Sequence, residues 1–246
     1  MLVLALDTTT RGGSCALARE RAVLRQEGSD ATQPPAARLP GELIALLEHE
    51  DVTLVDVDIF AVATGPGSFT GLRIGIATMQ GLAMAMGKPL IGISGFDALV
   101  ALGGSGLTLD PNPPHVRHRI AAWIDAWRGE VYAALYEDGR EVEPPTVARP
   151  DYLLQQLSGR DTVFIGDGAA AFADMIRTTL GAQARLAEPV TPLLAGTIAQ
   201  LATDAARAGH LPPPHAIRPI YVRRPDAELT RRAGAQTQEG LRHRRP

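Results

Sequence analysis

Twice in this chain a short apolar run ends at an aspartate, turns through glycine and leads into hairpin-like sequence. Leu2–Asp7 reads LVLALD and is followed by Gly12-Gly13; Arg119–Asp125 reads RIAAWID and is followed by Gly129. An unbroken apolar run of this length fits a central strand covered on both faces, because a half-exposed strand alternates instead. Strand-like segments follow each run: Ser14–Ala18 and Ala22–Gln26 after the first, Val131–Tyr136 and Arg140–Val142 after the second, the last pair joined by Asp138-Gly139. The first half continues with a helix opened by Pro34-Pro35 that carries Leu39, Leu43, Leu46 and Leu47 at helical spacing. A strand over Asp58–Ala63, a helix over Phe69–Met86, a strand over Pro89–Ile93 and a helix over Ser94–Leu102 come next. The second half gives a helix over Pro150–Leu157, a strand over Thr162–Ile165 and helices over Ala169–Leu180 and Pro192–Ala208. The echo lies in the order of elements and not in the residues. It predicts an α/β fold of two duplicated lobes, each a mixed sheet flanked by helices. The lobes read as residues 1–103 and 115–222, separated by a Gly- and Pro-rich stretch, and residues 223–246 read as a mobile, Arg-rich tail.

Composition limits what such a fold can do. Hydrophobic residues make up 45% but aromatics only 4%, so the core must be built from Ala, Val, Leu and Ile. A formal net charge of -3 argues against a basic body that grips nucleic acid alone. Cys15 is the single cysteine, so an intrachain disulfide and a Cys-based zinc site are both ruled out. No stretch reaches the ~18 uninterrupted apolar residues of a membrane span, and the N-terminus has no basic region before its short apolar run, the mark of a signal peptide. A cytoplasmic protein with no membrane association is the expectation.

The segment Ile59–Gly87 is the richest in signal. Gly65-Pro66-Gly67-Ser68-Phe69-Thr70-Gly71 joins a buried strand to a helix, the setting of a phosphate loop. The Walker register fails, and the only lysine of the chain, Lys88, is far from it. The dinucleotide pattern fails too, because Thr70 stands where the third glycine belongs. What remains is an anion or vestigial nucleotide site made of Asp7, Gly67, Ser68 and Asp125, the aspartates closing the two buried strands. Against it stands the plainer reading, in which the glycines make the turn, Ser68 or Thr70 caps the helix and each aspartate caps its own turn.

The helix itself is costly, with Gly71, Gly75, Gly81 and Gly87 each worth ~1 kcal/mol against alanine in a helix interior. Close packing must offset that. Gly71, Gly75, Thr78 and Leu82 share one stripe; Ile74, Ala77, Gly81 and Ala85 share the next. One stripe can face the sheet and leave the other for a second helix, or both can be packed internally. Met79, Met84 and Met86 add adaptable apolar surface.

Other motifs are weaker. His115-x-x-His118 sits in a Pro-rich stretch with no acidic cluster beside it. Gly92-Ile93-Ser94-Gly95 misses the nucleophile-elbow spacing. Gly166-Asp167-Gly168 follows a strand and precedes a helix, as a plain βα turn does, although it could touch a nucleotide. The residues thus assemble no catalytic group and no metal site.

LALDTTT, ATGPGSFTGLRIGIATMQGLAMAMGKPLIGIS, IDAWRGEVYAALY, GDG and PIYVRRPDAE, in this order, resemble the bacterial TsaB (YeaZ) family from Leu2 to about Glu228. The resemblance implies an actin-like, ribonuclease-H-type fold (the ASKHA group). It implies a non-catalytic subunit of the machinery that makes N6-threonylcarbamoyladenosine in tRNA. The implied partners are the TsaD paralogue, which transfers the threonylcarbamoyl group, and the ATPase TsaE. ATP or ADP and the metal are then expected on those subunits and no cofactor on this one, with tRNA reached through the complex. Alone, the chain would form a homodimer through the same face it offers to TsaD. That face is implied to lie on the helix after GPGSFTG, assigned to Gly71, Leu72, Ile74, Gly75, Thr78, Met79 and Leu82. Two positions depart from the family: Ser29–Gln33 lacks a histidine common before the first long helix, and Trp127 replaces Arg or Met. The competing classes are an ATPase or phosphotransferase of the same fold, motivated by Asp7, Asp125 and the glycine turn, and a metallopeptidase-like protein, for which His115 and His118 are a poor cluster.

Overall fold

The computed structural model describes residues 1–30, 32–106 and 119–223. Two five-stranded mixed sheets have the same topology. In the first, β1 (Leu2–Asp7), β2 (Ser14–Arg19), β3 (Ala22–Gly28), β4 (Ile59–Ala63) and β5 (Leu90–Ile93) lie in the order β3-β2-β1-β4-β5. In the second, β6 (Arg119–Asp125), β7 (Val131–Glu137), β8 (Arg140–Ala148), β9 (Thr162–Ile165) and β10 (Ala184–Leu186) lie in the order β10-β9-β6-β7-β8. The hairpin strands pair antiparallel and the others parallel in both. This is the duplicated mixed-sheet arrangement expected from the element order, and it agrees with the actin-like fold that the resemblance implies.

The period of two in β1 explains its unbroken apolar run. Leu2, Leu4 and Leu6 face an outer core with α1 (Pro35–His49) and α2 (Phe69–Met86), while Val3 and Ala5 face a central core shared by both lobes. β6 does the same: Ala121 and Trp123 face α4 (Pro150–Leu157) and α6 (Ala173–Leu180), while Ile120, Ala122 and Ile124 join the central core.

Three details differ from expectation. Between the sheets the chain exchanges helices: α3 (Gly95–Gly106), from the first half, packs on β6 and β9, and α7 (Ala195–Arg207), from the second, packs on all five strands of the first sheet. Residues 115–222 are therefore not a self-contained lobe. Ala195, Gly196, Ala199 and Ala202 let α7 lie close on the alanine-rich faces of β1, β2 and β4, which is how a chain poor in aromatics fills this layer. The helix read over Ala169–Leu180 breaks at Phe172 into α5 (Asp167–Ala171) and α6. α3 also runs on to Gly106, past the expected start of the linker. Among the described residues no helix is long and apolar enough to cross a membrane.

Candidate functional site

The Gly-Pro-Gly turn is closed by the loop that follows β1. The Ser68 amide donates to the Thr9 carbonyl (3.4 Å), and Thr8 Oγ1 donates to the Gly71 carbonyl (2.8 Å). Ser68 Oγ accepts from the Gly71 amide (3.2 Å) and so caps α2. A Cβ on Gly67 would sit 2.7 Å from Thr9 Cα. The turn is glycine because protein backbone, not a phosphate, comes this close. Asp7 is likewise committed: Oδ1 accepts from the Thr9 amide (2.8 Å) and hydroxyl (2.6 Å), and Oδ2 from the Thr10 hydroxyl (2.6 Å). The proposed anion site of Asp7, Gly67, Ser68 and Asp125 is therefore not assembled; only Asp125 reaches an open cleft.

That cleft, of about 600 Å³, lies between the lobes, a size usual for small-molecule pockets. Its polar end is built by Arg11, Asp125 and Asp167, and Leu99, Ala170 and Leu193 are among its apolar walls. Arg11 spans the lobes. Its amide donates to Asp167 Oδ2 (3.0 Å) and its Nη2 to Asp125 Oδ2 (2.9 Å). Asp125 in turn donates its amide to Asp167 Oδ1 (2.9 Å), and Asp125 Oδ1 accepts from the Trp127 amide (2.9 Å). The Arg11 side chain is 69% exposed, so solvent screens the pair and its contribution to stability is small.

Burial raises the Asp167 carboxyl above the ordinary carboxylate range, and the charges of Asp125 and Asp7 push the same way, against two backbone N–H donors that stabilise its anion. The folded chain therefore binds this proton more tightly than the unfolded chain. Asp167 lowers stability as pH rises from the usual carboxylate value through its raised folded value. Asp167→Asn, which stays neutral, should accordingly cost more at pH 4 than at pH 7 in paired urea titrations. Equal costs would show that the carboxylate is not penalised.

α2 settles the two stripes. Gly71, Leu72, Gly75 and Met79, assigned to a partner, are buried inside this chain. Any Cβ on Gly71 or Gly75 would run into Thr8. Ile74, Thr78 and Leu82 are half-buried at the flank. The exposed stripe is the other one, Ala77, Gly81 and Ala85, with Arg73 and Met84 beside it; Met84 is 62% exposed and nothing lies within 4 Å of a Cβ on Gly81. Gly87, counted as a helix-interior glycine, instead ends α2 in the left-handed conformation (φ 64°) and costs the helix nothing.

Of the two departures, the Asp30 region sits outside this chemistry and Trp127 meets it only through its backbone amide, bound to Asp125. Asp30 Oδ1 accepts from the Thr32 amide and hydroxyl, closing a local turn. Trp127 and Arg128 both have φ of 56° in an exposed turn. His115 and His118 lie outside the described residues. Among the described residues no three His, Cys, Asp or Glu side chains gather as a metal site would require. Arg11 belongs to no motif of the sequence, and Asp167 to the Gly166-Asp167-Gly168 turn, one that could touch a nucleotide.

A family model described as TsaD, tRNA N6-adenosine threonylcarbamoyltransferase, matches residues 30–237. The tRNA threonylcarbamoyladenosine biosynthesis protein TsaB of Escherichia coli K12 is 34% identical over 187 residues, covering 71% of this chain and 75% of that protein. Among solved structures, YeaZ from Pseudomonas aeruginosa matches with a TM-score of 0.70 at 30% identity, over 89% of this chain and 99% of that one. The activator of 2-hydroxyisocaproyl-CoA dehydratase from Clostridium difficile matches over 90% of this chain and 100% of that one with a TM-score of 0.52 at 10% identity, a likeness of fold alone. Matching sequence over most of its length, and matching fold over nearly all of it, this chain belongs to the TsaB (YeaZ) family.

Proposed function

We propose that this chain acts in tRNA threonylcarbamoyladenosine biosynthesis as a non-catalytic subunit that pairs with a TsaD-type transferase through the outer face of α2. The observation that carries the reading is that face. Ala77, Gly81 and Ala85 recur every four residues on the exposed side of an 18-residue helix. Small residues at a helix contact bring the axes toward the ~8 Å end of the usual range, and Met84 offers an adaptable edge. The E. coli relative's name supports the pathway, and the transferase's name on the matching family model supports a common ancestry with the partner.

The chemistry of the cleft supports a non-catalytic role. Asp7 is used up in its own loop, and Asp125 and Asp167 are tied to Arg11 and to backbone amides. The reading places ATP or ADP and the metal on TsaD and on the ATPase TsaE, brings tRNA in through the complex, and lets the free chain self-associate through the α2 face. It predicts that threonylcarbamoylation of tRNA, reconstituted with TsaD and TsaE held constant, falls at least tenfold when this chain is left out. An unchanged rate without it, or product formed by this chain alone, would overturn the reading.

A further inference from the structure

After α7 the chain returns across the first lobe and ends its described course on the second. Gln80, on α2, donates its Nε2 to the carbonyls of Pro214 (2.9 Å) and Ile217 (3.1 Å). Ile217 then packs against the outer core of the first lobe. The Ile220 amide donates to the Thr64 carbonyl (2.7 Å), at the end of β4. Tyr221 stacks on Phe69, the first residue of α2, with ring centroids 5.2 Å apart, and its hydroxyl accepts from Arg73 Nε (3.0 Å). The Arg73 guanidinium lies 3.9 Å from the Phe69 ring centroid. Two residues later Arg223 is on the other lobe. Its Nη1 donates to the Ala126 carbonyl (3.1 Å), it pairs with Glu130, and it lies over Tyr132 at 5.8 Å. The start of the expected mobile tail is thus an anchored residue; 224–246 lie outside the described residues.

We propose that Ile217–Arg223 is a conformational strap that makes the N-terminal end of the α2 outer face responsive to the angle between the lobes, with Arg223 as its catch. The helix packs on β4, β1, β5 and α1 of the first lobe and on Pro214–Ala216 of the returning chain. Its exposed residues Phe69 and Arg73 are gripped by Tyr221, and Tyr221 lies between two anchors, Ile220 on Thr64 in one lobe and Arg223 on the Ala126–Glu130 turn in the other. A shift of the second lobe relative to the first pulls on Arg223. It must then either break the pair with Glu130 or draw Tyr221 along α2. The catch sits on a turn in which Trp127 and Arg128 both hold φ of 56°. Such residues cost about 1–3 kcal/mol each, so the turn keeps its shape only while its surroundings hold it. Linkage makes the effect reciprocal: whatever fixes Phe69 and Arg73 also restrains the lobes.

Amide hydrogen exchange on the full chain tests this, with the substitution in one lobe and the readout in the other. Glu130→Gln removes the charged partner of Arg223 and leaves the strap sequence intact. It is expected to speed exchange of the Ile220 amide, bound to Thr64, about tenfold, with an unchanged urea midpoint. Tyr221→Ala is expected to speed exchange of the Ala126 and Glu130 amides in the same way. Acceleration confined to the Ala126–Tyr132 segment in Glu130→Gln, or absent from it in Tyr221→Ala, would overturn the proposal. Arg223→Ala provides a third reading of the Ile220 amide: unchanged protection there would overturn it as well.

Discussion

Gly166→Ala is expected to be the most damaging single-methyl change in the described chain. Gly166 follows β9 with φ 112° and ψ 168°, a region open in practice only to glycine. Its amide donates to the Val190 carbonyl (2.7 Å), so the backbone cannot relax without losing that bond. A Cβ would stand 3.0 Å from the carbonyl carbon of Trp123 and closer still to its oxygen. Trp123 lies in the central strand β6, which cannot give way as a flexible side chain could. Strain of ~1–3 kcal/mol and overpacking of ~1–3 kcal/mol add to roughly 2–6 kcal/mol. For a chain of this size that lowers Tm by roughly 4–24 °C. Gly139→Ala is the control. It also has a positive φ, of 75°, but nothing within 4 Å of the new methyl, so only the left-handed backbone cost applies, about 1–2 kcal/mol. Urea unfolding followed by the fluorescence of buried Trp123 gives both numbers. A Gly166→Ala cost no larger than that of Gly139→Ala would show that the β6–β9 junction yields.

The elements that sequence made legible are those whose residues carry two signals at once. β1 and β6 are apolar on both faces and stop at an aspartate before a glycine turn, and both were found within a residue of their observed ends. α2 is bounded by Ser68, which caps its start, and by Gly87, whose left-handed conformation closes its end. What pattern could not give was allegiance. Phe96 and Leu99 on α3 and Ile198 on α7 are apolar at helical spacing, and any sheet would satisfy them; only the crossing of the chain decides which does. β10 has three residues, none fully buried, and its apolar–polar–apolar alternation is too short to stand out. Phe172 breaks α5 from α6 without a glycine or proline to mark the place. Arg11 looks like any solvated arginine until the fold brings Asp125 and Asp167 to it from more than a hundred residues away. The two stripes of α2 failed to separate for a similar reason. Both are small, and what selects between them is Thr8, sixty residues earlier, lying under one of them.

That selection makes the second large effect a contrast between two glycines six residues apart. Gly81→Arg is expected to abolish pairing with the TsaD-type transferase, weakening it at least 100-fold, while leaving this chain folded. The site is exposed with open space above it. Arginine is a better helix former than glycine by ~1 kcal/mol, so Tm should rise by roughly 2–4 °C. At a contact built from Ala77, Gly81 and Ala85, the long charged side chain holds the helices apart and buries a charge without a partner, a cost of several kcal/mol. Gly75→Arg would lose pairing too, but for a different reason. Gly75 is buried against Thr8, and a side chain there must push away the loop that carries Asp7. That variant should lose its cooperative unfolding transition altogether, so its failure to pair says nothing about the interface. The decisive measurement is size-exclusion chromatography with the transferase alongside a thermal melt of each variant. A folded, stabilised Gly81→Arg chain that still co-elutes with its partner would move the interface off the outer face of α2. A Gly75→Arg chain that melts normally would mean that Thr8 does not hold the inner face, and the assignment of the two stripes would be reversed.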